Sequence, residues 1–137
     1  MKVVLDTNVY MAAFATHGLC EAIVELCLDQ HEMAASTGLL AEVKRNLVRK
    51  IKLPERTARE VVAFIESKTE LVVPCDLDRS ACRDSDDLKI LGIAIAFCAD
   101  YLVTGDQDML VLGRIQKTKI VSPGAFARIL SLRARRR

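Results

Sequence analysis

Lys2-Val3-Val4-Leu5-Asp6 is a short apolar run that ends on an acid. Three consecutive aliphatic residues with no polar alternation read as a strand buried on both faces, the kind found in parallel sheets. A carboxylate at the end of such a strand is costly to bury without a partner, so Asp6 marks a place where chemistry is expected.

Working outward, strand and helix patterns alternate. Gly18 opens a helical stretch with Leu19, Ala22, Ile23 and Leu26 on one face. Residues 33–35 are a second strand, and Ser36-Thr37 are cap candidates for a helix striped by Leu39, Leu40, Val43, Leu47 and Ile51. Pro54 starts another helix at the favoured first turn, with Val61, Val62 and Ile65 as its stripe. Residues 71–73 are a third strand stopped by Pro74. Residues 88–98 are apolar on nearly every face, the mark of a buried helix. Residues 101–103 and 119–121 are the fourth and fifth strands, with a short helix at 109–112 between them and a last helix from Ser122-Pro123. This alternation predicts an α/β fold with a central parallel sheet of about five strands and helices on its faces.

Composition narrows the function. The chain has 137 residues, enough for one domain, and 51% hydrophobic residues exclude disorder. The charge is near balance, with 20 Lys+Arg against 18 Asp+Glu. Aromatics are 4% with no Trp, against a base-stacking surface of the RRM or OB type. No apolar run approaches the ~20 residues of a membrane helix. The acid at position 6 interrupts what would be a signal-peptide core, so a cytoplasmic protein without a membrane is expected. Cys20, Cys27, Cys75, Cys82 and Cys98 lack Cys-x-x-Cys spacing and read as reduced thiols packed as small hydrophobes. Phe14, Phe64, Phe97 and Phe126 are expected in the core, and neither His17 nor His31 has metal-ligand spacing.

In open α/β sheets, sites lie at the carboxyl ends of strands. The acids cluster there: Asp6 after strand one, Glu42 early in the helix after strand two, Asp84, Asp86 and Asp87 at the start of the buried helix, and Asp106 and Asp108 after strand four. Each could be a helix cap. Together they would repel, and a hard divalent cation relieves that repulsion. A haloacid-dehalogenase-type phosphatase needs Asp-x-Asp after strand one, but Asn8 stands in the second position. A response-regulator receiver needs an acid ending strand three, which Pro74-Cys75-Asp76 matches poorly.

Four segments in order resemble the PIN-domain family, and most of all its VapC-like toxin ribonucleases. They are Val4-Leu5-Asp6-Thr7-Asn8-Val9, Leu39-Leu40-Ala41-Glu42-Val43, Cys82-Arg83-Asp84-Ser85-Asp86-Asp87, and Ala99-Asp100-Tyr101-Leu102-Val103-Thr104-Gly105-Asp106-Gln107-Asp108. The resemblance implies a three-layer α/β/α domain over residues 1–132, followed by a basic tail at 133–137. It implies a Mg²⁺- or Mn²⁺-dependent endoribonuclease whose catalytic and metal-holding acids are Asp6, Glu42, Asp87 and Asp106, with Asp108 as a further metal ligand. Asn8 and Thr104 match the polar residues that orient these acids. Metal-activated water would attack a phosphodiester in line, leaving a 5′-phosphate and a 3′-hydroxyl. The resemblance also implies an RNA substrate, an antitoxin protein partner and a homodimer, with apolar residues of the early helices as a partner surface. The alternative is a non-catalytic module that keeps the fold and uses the acids only as caps and salt bridges.

Lys44, Arg45, Arg49, Lys50, Lys52, Arg56 and Arg59 form a basic stretch opposed only by Glu55. It reads either as a phosphate-contacting rim, with Lys44, Arg45 and Arg49 nearest Glu42, or as an ordinary solvated face.

Overall fold

A computed structural model describes residues 1–78, 80, 82 and 84–135. Arg83 of the third motif and Arg136 and Arg137 of the basic tail lie outside the described residues. The chain runs β1 (Lys2–Leu5), α1 (Thr7–Ala15), α2 (Leu19–Gln30), β2 (Glu32–Ala35), α3 (Thr37–Arg49), α4 (Glu55–Ser67) and β3 (Thr69–Leu71). It continues as α5 (Ser85–Phe97), β4 (Tyr101–Val103), α6 (Gln107–Leu112), β5 (Arg114–Ile115), β6 (Thr118–Val121) and α7 (Pro123–Arg135).

The strands form one sheet in the order β3-β2-β1-β4-β6-β5, parallel except for the β5–β6 hairpin. The predicted sheet of five parallel strands is therefore present, with a sixth, two-residue antiparallel strand too short to leave a pattern. From β1 the chain steps outward to β2 and β3, then returns across the sheet to β4. Helices α1–α4 pack on one another, α5 packs on β1, β2 and β4, α6 packs on β6, and α7 packs back against α2; the right-handed rule for parallel crossovers puts α1–α4 and α5 on opposite faces. The core lies on both faces of β1, where Val3, Val4 and Leu5 are fully buried.

Three expectations are corrected. Helix α1 was not read, because it packs against α2 and α3 and buries Val9, Tyr10, Met11 and Ala13 around its circumference. That leaves no amphipathic stripe. The third strand sits two residues earlier than residues 71–73. Val72 N–H still bonds the Ala35 carbonyl at 2.9 Å, but Val73 is 87% exposed, because the chain there leaves the sheet edge and leans on α5. Phe97 and Phe126 are buried, whereas Phe14 and Phe64 are exposed by 38% and 55%. These two line an apolar groove of about 510 Å³ between α1, α2 and α4. The cysteines also divide: Cys27 and Cys82 are buried, and Cys75 and Cys98 are exposed. No single described helix is long and apolar enough to cross a membrane; α1 and α2 meet that test only as a pair bent by 116°.

The segment after β3 is held to α5 by the Cys75 N–H, which bonds the Gly92 carbonyl at 3.1 Å. A Cβ on Gly92 would lie 2.4 Å from the Cys75 carbonyl oxygen. Backbone presses on backbone there, with no flexible side chain to yield. Gly92→Ala is therefore expected to destabilise the fold by about 1–3 kcal/mol, the usual cost of overpacking, as measured by urea unfolding. Unchanged stability would show that the segment is not pinned to α5.

Candidate metal centre

The strand order switches between the parallel neighbours β1 and β4: from β1 the chain steps outward to β2 and β3, and from β4 it steps the other way to β6 and β5. Such a switch point opens a crevice at the carboxyl ends of the two strands. Asp6 follows β1 there, and Thr104 and Asp106 follow β4. The β1–β4 register aligns Leu5 with Val103, and the Asp6 N–H bonds the Val103 carbonyl at 3.0 Å. Sheet pairing thus sets Asp6 beside Thr104.

Thr104 is fully buried, and its hydroxyl ties two acids together. It donates to Asp6 Oδ2 at 2.8 Å and accepts from the Asp106 N–H at 3.0 Å. Asp106 caps α6, accepting from the Asp108 N–H at 2.9 Å. Asp87 enters from the first turn of α5 and is buried. One carboxylate oxygen from each of Asp87, Asp106 and Asp108 lies within 4.8 Å of the others. That is close to the span of about 4 Å between opposite oxygens on an ion with ~2.1 Å bonds.

Electrostatics bind Asp6 and Glu42 to the same centre. Burial raises the Asp6 carboxyl above its ordinary value, against the bonds from Thr104 and the Thr7 backbone, and the nearby Asp106 and Glu42 push it the same way. Burial also raises Asp87, with Asp106 and Asp84 adding repulsion, to about 6. Both shifts come first from burial, with neighbouring carboxylates adding to it. Hard oxygen donors in such a set fit Mg²⁺ or Mn²⁺.

The other sequence candidates divide. Asp84 is a cap, accepting from the Asp86 N–H at 2.8 Å, and Asp86 is exposed with Lys89 Nζ at 3.9 Å. Asn8 is exposed on α1, and the side-chain bond to Asp6 comes from Thr104 instead. Cys82 was read as a packed hydrophobe, yet its thiol donates to Asp87 Oδ2 at 3.6 Å. No spacing signal in the sequence marks this contact. On α3, Lys44 faces Glu55 at 3.7 Å, while Arg45 lines a cleft shared with Glu42. Arg49 is exposed beside them.

Comparison with known proteins follows from this geometry. The family model for the PIN domain matches residues 2–108. The chain belongs to the PIN-domain family. A relative, an uncharacterised protein of Methanocaldococcus jannaschii, is 27% identical over 119 residues, covering 82% of this chain and 75% of the relative. Among solved structures, a chain of VapBC2 from Rickettsia felis, crystallised bound to a DNA fragment from its promoter, shares the fold. It aligns with a TM-score of 0.61 and 21% identity over 89% of this chain and 98% of its own length. This PIN domain therefore has the mixed α/β architecture of its family, with its acids gathered at the switch point.

The Asp87 shift fixes a pH dependence. Its folded-state carboxyl titrates near 6 against an ordinary value of 3.8. The folded chain thus holds this proton more tightly than the unfolded chain. That contribution to stability is complete below the ordinary value and is lost as pH rises through about 6; Asp6 acts in the same direction. In metal-free buffer, the melting temperature of wild type is expected to fall across this window. Asp87→Asn should flatten the fall and melt higher at neutral pH. An Asn variant that melts lower at neutral pH would overturn the crowding of charge at this centre.

Proposed function

We propose that this PIN domain is a Mg²⁺- or Mn²⁺-dependent endoribonuclease, the toxin component of a type II toxin–antitoxin pair. The observation that carries the proposal is the convergence of Asp87, Asp106 and Asp108 on one point, with Asp6 and Glu42 in electrostatic reach. Asp6, Glu42, Asp87 and Asp106 are the catalytic acids, and Asp108 is a further ligand. When bound, the ion supplies an activated water and offsets charge developing on the phosphate.

The chain's own residues do the rest. Asp87 from α5 and Asp106 from the start of α6 would hold the ion. Thr104 orients Asp6 through Oδ2, and Cys82 donates to Asp87. Lys44, Arg45 and Arg49 on α3 form the rim that meets the RNA backbone. The apolar groove carrying exposed Phe14 and Phe64 supports a protein partner such as an antitoxin. The likeness in fold to a chain of the VapBC2 complex supports the same pairing. A cytoplasmic homodimer, with the nuclease in residues 1–132 and a basic tail at 133–137, completes the proposal.

A non-catalytic binding module would use the acids only as caps. Asp84 behaves that way. Burying Asp6 and Asp87 among other carboxylates has no such use, and it costs stability unless a cation enters.

The direct test is cleavage of labelled single-stranded RNA in Mn²⁺, Mg²⁺ or EDTA. Wild type should cut only with metal, and Asp6→Asn should lose the activity. Mn²⁺ should also raise the melting temperature of wild type, by about 2.7 kcal/mol of stabilisation at a hundredfold excess over Kd. Folded wild type that neither cuts nor gains stability would return the protein to the binding module. Thr104→Val should weaken Mn²⁺ binding by about 10–100-fold, the usual effect of losing a residue that orients a ligand, while Thr104→Ser retains it. Equal Mn²⁺ affinity in both variants would remove Thr104 from the site.

A further inference from the structure

A cleft of about 590 Å³ lies between α3 and α5, with Glu42 in its lining. Its lining comes from three stretches. Ser36–Leu39, Glu42 and Arg45 belong to the start of α3; residues 71–74 and Asp76 follow the sheet edge; Asp86, Lys89, Ile90 and Ile93 belong to α5. Glu42 belongs to the acid set, and Asp86 adjoins Asp87 in the chain, so the cleft borders the proposed metal centre.

The lining is divided by chemistry. Leu71, Val73 and Pro74 form an apolar wall, with Val73 almost fully solvent-exposed. Leu71 and Val73 thus present an exposed aliphatic strip beside charged residues, an arrangement that suits a binding groove. Arg45 stands one turn beyond Glu42 on α3, and Lys89 stands one turn beyond Asp86 on α5, so each helix carries a cation next to an acid. Lys89 meets Asp86 only at 3.9 Å, and both side chains are 73% exposed, so its ammonium is available to another anion. The first turn of α3 adds its positive dipole end, and Gly38 puts no side chain over it. The cleft's volume falls within the ~300–1,000 Å³ of small-ligand pockets.

The geometry points to a nucleotide subsite: the cleft receives one unpaired nucleotide adjoining the scissile phosphate, its phosphate between Arg45 and Lys89 and its base against Leu71, Val73 and Pro74. This rests on the nuclease reading and deepens it by naming what flanks the cut. Only a base splayed out of a stack can enter a recess of this kind, so single-stranded RNA fits and a duplex does not. Aliphatic walls without an aromatic platform accept any base by its apolar faces, so discrimination among the four bases is expected to be weak. Lys89 is thereby a substrate-positioning residue, and the crossing at Gly92 shapes the base wall by holding Pro74 and Cys75 in place.

Binding and cleavage are measured separately. The full chain is titrated with the four nucleoside 5′-monophosphates and with inorganic phosphate, followed by amide NMR. The nucleotides should shift Gly38, Val72, Val73 and Ile90 and bind about tenfold more tightly than phosphate, as expected when part of a base is removed from water against an aliphatic wall. Lys89→Ala, Arg45→Ala and Val73→Asp, all surface changes that leave the core intact, should each weaken that binding. In the cleavage assay the same variants should raise KM with little loss of kcat, and an abasic residue beside the cut should lower kcat/KM by about tenfold. Equal affinity for phosphate and nucleotides, no nucleotide binding, or variants that leave both binding and KM unchanged would each overturn the subsite. Cleavage without nucleotide binding sinks the subsite and leaves the nuclease. Nucleotide binding in a chain that never cuts RNA leaves the subsite and sinks the nuclease.

Discussion

Like charges held close in a partly dry crevice are the constraint around which this protein is arranged. Parallel pairing of β1 with β4 sets Asp6 beside Thr104, and the start of α6 brings Asp106 and Asp108 next to them. Helix α5 then supplies Asp87 from the other side. No described basic side chain forms an ion pair with Asp6, Asp87, Asp106 or Asp108. Protons are therefore held more tightly at Asp6 and Asp87 than in ordinary carboxyls. The fold tolerates this because Thr104, the backbone of Thr7 and the Cys82 thiol each satisfy part of the acids' hydrogen-bonding demand. A divalent cation would offset the remaining repulsion at these same atoms.

The rest of the architecture supports that crevice. The buried strand β1 has no freedom to slide, because its aliphatic side chains are packed on both faces. Helix α5 is buried along Ile90, Leu91, Ile93, Ala94 and Phe97, so the position of Asp87 is set by core packing rather than by a surface loop. The contact at Gly92 ties the irregular segment after β3 to that same helix. Metal centre and proposed nucleotide cleft thus share one rigid wall. Arg45 of α3 sits on the opposing wall, where it is exposed and leaves the core undisturbed.

Much of this was legible in the order of residues. Buried strands announce themselves as aliphatic runs, so β1, β2 and β4 are legible, as are the Ile120-Val121 pair of β6 and the apolar α5. Acids placed directly after strands pointed to the carboxyl edge of the sheet, and Asp6, Asp87 and Asp106 are close together there. Helix α1 escaped because a helix buried around its circumference loses its period. The exposed Val73, Phe14 and Phe64 were misread for the converse reason: apolar identity says that a residue favours burial, not that the fold provides it.

The sequence by itself determined the alternation of elements, and hence a parallel sheet with its acids at one edge, because hydrophobic period and strand-end acids are local properties. Only the tertiary structure decided which acids meet. Asp84, Asp86 and Asp87 are nearly equivalent as letters, but the helix turns by about 100° per residue. That rotation buries Asp87 toward Asp106, leaves Asp84 as a cap and turns Asp86 toward Lys89. The strand order decided the rest: it placed β4 beside β1, 98 residues apart at the Thr104–Asp6 bond, a neighbourhood set by crossover packing and not by any local pattern.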